Sequence, residues 1–305
     1  MPTFSFDKAL KLGRGIKGFL QLDAGITRGL VPNLRQRIRV QARQIEAHNE
    51  QLERIRQRLS EEDLQGVRWE ASKDPAAWEY AKASEVAWWR GWITSRGLDW
   101  PEDYNPRLDP EQPLQDYVIR CLSATPGSTV SILDVGAGPM TKLGKSWEGR
   151  TVQITAIDPL ADAYARLLAE ADIVPPVPTQ PGEVERLTER FATNQFDLVH
   201  MQNALDHSHD PMLGIQQMLE VVKPACCVLL YHAVNEGHHA NYAGLHHWNL
   251  CADNGNFVIW NPHTHISVNE ALGDLAEVTV EEYKGDEDEV EGEILVSLRK
   301  KSTSA

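Results

Sequence analysis

The sequence predicts an α/β protein, a seven-stranded, mostly parallel sheet carried behind an N-terminal helical extension. Three observations predict it. Beyond residue 113, short apolar runs alternate with segments of helical periodicity, the pattern of an open parallel sheet with crossover helices. One such run, Ile132-Leu133-Asp134-Val135, passes straight into Gly136-Ala137-Gly138, a turn that lets backbone approach a ligand at a strand's carboxyl end. Ahead of residue 114, the chain reads as helices and loops.

Composition narrows the function classes. The 305 residues suffice for one large α/β domain with extra elements, and 42% are hydrophobic. No run approaches the roughly 20 apolar residues of a membrane span. The start, Met1-Pro2-Thr3-Phe4-Ser5-Phe6-Asp7, lacks a charged segment leading into an apolar one, so no secretory signal is expected. Cys121, Cys226, Cys227 and Cys251 show no CxxC spacing, which suits a reducing, cytoplasmic setting. The net charge is −14, split into +7 over residues 1–58 and −21 beyond them. An acidic body repels phosphate backbones, so nucleic acid is not expected as a substrate.

The elements follow in order. Residues 1–60 form a basic arm. Its first part, 8–30, is weakly amphipathic, and a long polar helix runs from Pro32-Asn33 to Leu59. Ile38, Ile45, Leu52 and Leu59 recur every seven residues, an oligomerising coiled-coil seam, although Gln41 and His48 break the companion positions. A homo-oligomer is expected from the seam, and peripheral contact with the inner face of a membrane from the arm's charge. A solvated helix packed on its own domain is the plainer alternative. Residues 61–113 form a Trp-rich helical lid holding six of the nine tryptophans. Trp78, Ala81, Glu85, Trp89 and Trp92 share one helix face, either a stacking platform for a sugar or ordinary core packing. A proline-rich loop spans 101–113. The catalytic domain occupies 114–301, beginning with a helix over 114–122. Strands are expected at 131–135, 153–158, 196–201, 226–232, 276–283 and 293–298. Helices are expected at 162–170, 182–191 and 211–222, and an acidic turn at 285–289.

The Gly-x-Gly turn is coupled to a second signal. The next strand, Val152 to Asp158, ends in an acid 20 residues beyond Gly138, where a carboxylate can accept hydrogen bonds from a ribose diol. Thr141 stands where a dinucleotide fingerprint would carry its third glycine, which disfavours hydride transfer.

With both motifs in order, residues 115–300 resemble the class I S-adenosylmethionine (SAM)-dependent methyltransferases, a Rossmann-like family. The resemblance implies SAM as cofactor. Asp134, Gly136, Ala137 and Gly138 match the glycine-rich first motif, and Asp158 with Pro159 matches the ribose-binding strand end. Gly182-Glu183-Val184-Glu185 looks like the acidic turn whose side chain contacts the adenine amino group, a role that falls to Glu183. Four prolines, Pro175, Pro176, Pro178 and Pro181, depart from the family pattern and shorten the third strand. Phe196 to Met201 resembles the fourth strand, whose end, Gln202-Asn203, lies beneath the methionine moiety.

The turn beyond it, Ala204-Leu205-Asp206-His207, departs from the Asn-Pro-Pro-aromatic turn of base methylases. A hydroxyl acceptor must lose its proton during attack, so a His or carboxylate must stand in reach. In similar O-methyltransferases the base lies at or beside Asp206 and His207, so one serves as base and the other as orienter, with His232 a further candidate. A cap for the helix at Pro211 is the alternative use of the pair. Ten of the 11 histidines lie between His200 and His265. The loop from His232 to Leu250, with Tyr242 and Trp248, should border the crevice and suits a polyhydroxylated acceptor. A divalent metal on His232, Glu236, His238, Asp206 or Asp210 is a rival that is not favoured, because adjacent histidines do not fix ligand geometry. Together with Phe257-Val258-Ile259-Trp260-Asn261, these segments look like bacterial methyltransferases of cell-surface glycans and other sugars. That second resemblance implies O-methylation of a saccharide, in polysaccharide biosynthesis. The rivals are a phenol or carboxylate methyltransferase and a non-catalytic subunit retaining the SAM fold.

Overall fold

The computed structural model describes residues 41–43, 45–46, 61–98, 100–283 and 292–302. The heptad seam, the basic arm and the acidic turn at 285–289 fall outside them, apart from five helical residues between 41 and 46. The chain divides into two compact units, Met1–Arg68 and Trp69–Ala305. In the first, the described residues are helical. They end in the start of α1 (Glu61–Ser72), whose last residues open the second unit.

The second unit is a Rossmann-like α/β layer structure. Its helices before the sheet are α2 (Pro75–Ser95), α3 (Pro101–Leu108) and α4 (Asp116–Ile119). Next come β1 (Thr129–Val135), β2 (Thr151–Asp158), α5 (Ala161–Glu170), β3 (Thr179–Pro181), β4 (Phe196–Gln202), α6 (Pro211–Val221) and β5 (Val222–Ala233). After α7 (Glu236–His239) come β6 (Asn249–Asp253), β7 (Asn256–Asn261), β8 (Thr264–Ser267), α8 (Val268–Leu272), β9 (Ala276–Tyr283) and β10 (Glu293–Lys300). The main sheet has seven strands in the order β3-β2-β1-β4-β5-β10-β9. Strands β1 to β5 pair in parallel, and β10 runs antiparallel to both neighbours. Chain order reverses between β1 and β4, so the ligand crevice of such a sheet lies at their carboxyl ends.

The sheet forms because its central strands are apolar on both faces, as a covered parallel sheet requires. Ile132, Leu133, Leu198, Val199, Val228, Leu229 and Leu230 are all fully buried. Leu133, Val199, Val228 and Leu230 pack with Ile215 and Met218 of α6, while Ile132, Leu198 and Leu229 pack with Val118 on the other face. A third cluster joins Trp92 and Ile93 of α2 to Tyr104 of α3 and to Tyr164 and Leu167 of α5.

Several expected elements take another form. The stretch 182–191 is a 3-10 segment over Val184–Glu189, because its buried side chains, Val184 and Leu187, stand three apart and eclipse in that geometry. The supposed loop at 101–113 begins as α3. Pro101 occupies the first turn, Glu102 and Asp103 follow it, and Arg107 sits in the last turn, each favourable for a helix. The helix expected over 114–122 is one turn, α4. Strand β5 starts four residues earlier than expected, with an irregular register where Phe196 pairs Val222 but Leu198 pairs Cys227. The three-stranded antiparallel sheet β6-β7-β8 was not expected at all. Its first hairpin turns on Asn254 and Gly255, both at positive φ, +50° and +79°.

Candidate active site

The turn after β1 is held from below. Asp134 is buried; its Oδ1 lies 2.7 Å from His200 Nδ1 on β4, and its Oδ2 accepts from Thr141 Oγ1 at 2.5 Å. Its carboxylate therefore faces inward and ties the turn to β4. Gly136 and Gly138 have φ of +67° and +64°, which glycine adopts at no steric cost. They also admit close neighbours. A Cβ on Gly136 would stand 2.4 Å from Ala204 Cβ, and one on Gly138 would stand 2.9 Å from the Trp89 ring. The Ala137 N–H donates to Ile157 O at 3.0 Å, which docks the turn on β2.

Asp158 ends β2 beside that turn. Its Oδ2 accepts from Gly138 N at 3.1 Å and its Oδ1 from Leu160 N at 2.8 Å. Burial pushes its carboxyl up to about 7, against the pull of those two amides. Each oxygen keeps a further lone pair for a hydroxyl donor. Pro159 follows it at the surface. Glu183 lies exposed at the head of the 3-10 segment, 3.9 Å from Arg186. At the end of β4, Gln202 Oε1 is buried without a hydrogen-bond partner. Asn203, at φ +46°, accepts from Ala233 N at 2.9 Å. A nucleoside with an amino-acid tail fits this lining: an acid with spare lone pairs on one side, an orphaned amide oxygen on the other.

Beyond β4, the 3-10 turn Leu205–His207 presents Asp206 and His207. The partner that sequence reasoning missed is His246, from the loop between α7 and β6. Its Nδ1 is 2.7 Å from Asp206 Oδ2 and 3.1 Å from His207 Nε2. His207 Nε2 stands 3.5 Å from Asp206 Oδ2. Backbone fixes the meeting, since His247 N donates to Asp206 O at 2.9 Å. Burial alone would raise the Asp206 carboxyl, but His207, His246 and His232 hold it well below the usual carboxylate range. The Asp206 hydrogen bond lifts His246 against the effect of burial. His232, fully buried, is pushed down to about 4, and neither ring nitrogen has a hydrogen-bond partner. Clustered histidines in the sequence were the sole pointer to His246.

The other expected residues disperse. Asp210 caps α6, accepting from Leu213 N at 3.0 Å. His238 packs toward Trp260, its N–H donating to Asn249 Oδ1 at 2.6 Å. The Trp stripe divides. Trp89 and Trp92 stack edge to face at 5.3 Å inside the α2–α5 cluster, whereas Trp78 lies 4.2 Å from the His209 ring and 5.1 Å from His247. Trp69 Nε1 donates to His247 O at 3.1 Å, and Trp248 Nε1 to Ser208 O at 3.0 Å. The helical segment and the His-rich loop thus meet over the turn that carries Asp206 and His207.

Residues 133–230, about a third of the chain, match the family model described as a methyltransferase domain. No curated protein matches the sequence. Among solved structures, the chain is similar to a putative methyltransferase in complex with the Trm112 methyltransferase activator from Haloferax volcanii. That likeness has 12% identity and a TM-score of 0.46 over 70% of this chain and 97% of the other. It is also similar to the YcgJ protein of Bacillus subtilis (13%, TM-score 0.40, 61% and 97% covered). A SAM-dependent methyltransferase from Methanosarcina mazei gives 18%, a TM-score of 0.38, and 62% and 99% covered. The sequence match spans β1 to β5, so residues 133–230 carry a methyltransferase domain, and the chain is an enzyme whose cofactor is S-adenosylmethionine.

Proposed function

We propose that the enzyme methylates a hydroxyl of a saccharide acceptor. The observation that carries this reading is the convergence of Asp206, His207 and His246 just past the carboxyl end of β4, with His232 buried beside them. Bound SAM supplies an electrophilic methyl carbon on a sulfonium. The chain supplies the rest. Asp158 accepts the ribose hydroxyls, Gly136, Ala137 and Gly138 give it backbone, and Pro159 and Glu183 flank the nucleoside. Asp134 acts from beneath, by holding the turn on His200. Gln202 and Asn203 receive the amino-acid tail. Asp206, His207, His246 and His232 form the group that relieves the acceptor oxygen of its proton, and alignment by the surrounding walls does the remainder. Trp78, lying on His209 and His247, offers the ring face on which a sugar stacks.

The basic arm fits a membrane-linked glycan, and the heptad seam a homo-oligomer. The test is transfer of labelled methyl from SAM to glycans, set beside phenols and carboxylic acids. Product on a sugar hydroxyl is expected; product confined to phenols or carboxylates rejects the saccharide. His207→Ala should leave SAM affinity unchanged and lower turnover by roughly 10²–10⁴. Wild-type turnover in that variant removes the proton-handling group from the account.

A further inference from the structure

We infer that Asp206, His207 and His246 form a binding site for one divalent first-row transition-metal ion, beside the acceptor oxygen. The inference rests on the reading above for its role and on geometry alone for its existence. Among the described residues, these are the three whose ligand atoms converge, all within 4.8 Å of one another. The triangle has edges of 2.7, 3.1 and 3.5 Å. Ligand atoms bound at about 2.1 Å to one ion, at angles between square and tetrahedral, stand about 2.9–3.4 Å apart. The observed edges bracket that span, and a point about 2.1 Å from all three atoms lies roughly 1 Å off their plane. Two imidazoles and a carboxylate on one face of an ion leave its other face open.

Protons argue the same way. His246 Nδ1 is shared between Asp206 Oδ2 and His207 Nε2, so one ring edge serves two neighbours. An ion would take a lone pair from each of the three atoms in place of that shared proton. An independent observation is His232, 1% exposed, with neither nitrogen hydrogen-bonded and with Asp206 the strongest opposite charge acting on it. A buried imidazole left this way marks a space built for a group other than protein. The donor set, two nitrogens and one carboxylate, suits zinc, cobalt, nickel, manganese or ferrous iron rather than magnesium or calcium. The His207 side chain, 17% exposed, is the side open to entry.

The test uses the full-length chain stripped with a chelator and titrated with Co²⁺, read by its visible absorption, and with Zn²⁺, read calorimetrically. One ion per chain is expected, with a tetrahedral or five-coordinate Co²⁺ spectrum. His207→Gln, at the partly exposed corner, should weaken binding at least tenfold while SAM affinity is retained. His246→Gln provides a second variant with the same expectation. No saturable binding, or wild-type binding in both variants, overturns the inference. The two proposals fail separately. A chain that takes up no ion in these titrations and still methylates sugars refutes the ion site and keeps the function. A chain that binds one ion through these residues and methylates no hydroxyl refutes the function and keeps the ion site.

Discussion

Asp158 ties the end of β2 to the glycine turn after β1. Its carboxylate accepts the amides of Gly138 and Leu160, yet burial pushes it up to about 7. The sign follows from the direction. An acid raised above its unfolded value stabilises the protein when protonated, below the unfolded pKa. That contribution is lost as pH rises through the folded value of about 7. Ribose hydroxyls donate to the ionised form, so SAM binding should strengthen as pH rises from 6 to 8, around the 7 of the apo carboxyl. Asp158→Asn should bind SAM more weakly and lose that part of the dependence, while the ligand's own titration stays common to both proteins. Affinity measured across this range checks it. Parallel profiles in the two proteins would remove Asp158 from the ribose. At this scale the sequence was legible in bringing Gly136, Gly138 and Asp158 together at the ends of β1 and β2. It was silent on His246, whose partner lies 40 residues away and meets it only through the tertiary fold.

Helix α2 serves two ends with one face. Trp92, 2% exposed, is pinned by Trp89, by Tyr104 at 5.2 Å and by the Arg107 guanidinium at 5.1 Å. Trp78, three turns and more toward the amino end, meets histidines instead. Trp92→Ala should therefore cost about 3–5 kcal/mol of stability. Trp78→Ala should cost far less and raise KM for the acceptor with SAM affinity unchanged. Denaturant unfolding and steady-state kinetics on the pair separate the roles, and a KM left untouched by Trp78→Ala would make the whole stripe packing. Periodicity placed these residues on one face but could not say what each end would meet. The β6–β7 hairpin was missed for a different reason. Its Asn254-Gly255 turn is a strong local hairpin signal, but the strands it joins have only 5 and 6 residues. Helix α3 was hard to read because prolines commonly break helices, whereas Pro101 at a helix start favours one.

For the whole molecule, strand order decides where chemistry can happen. The reversal between β1 and β4 opens the crevice at the ends that carry Gly136, Gly138, Gln202 and Asp206, so the glycine turn and the Asp206 cluster share one edge. Alternating strand and helix patterns made that architecture readable, since a buried parallel sheet leaves few other ways to satisfy them. The charge asymmetry is equally a property of the whole chain. Residues 1–58 carry +7 and the remainder −21, so an anionic surface attracts the first part and repels the second. Each basic side chain near such a surface contributes about 1 kcal/mol, screened by salt. Full-length protein should co-sediment with vesicles containing phosphatidylserine at low salt and release as salt rises, and a chain of residues 61–305 should stay in solution. Every residue assigned to the donor lies between Asp134 and Asn203, so that shortened chain should bind SAM as the full-length protein does. Calorimetry on both checks the second half. Vesicle binding that survives removal of residues 1–60 would place the contact on the acidic body, against its charge, and end the case for a membrane-directed arm.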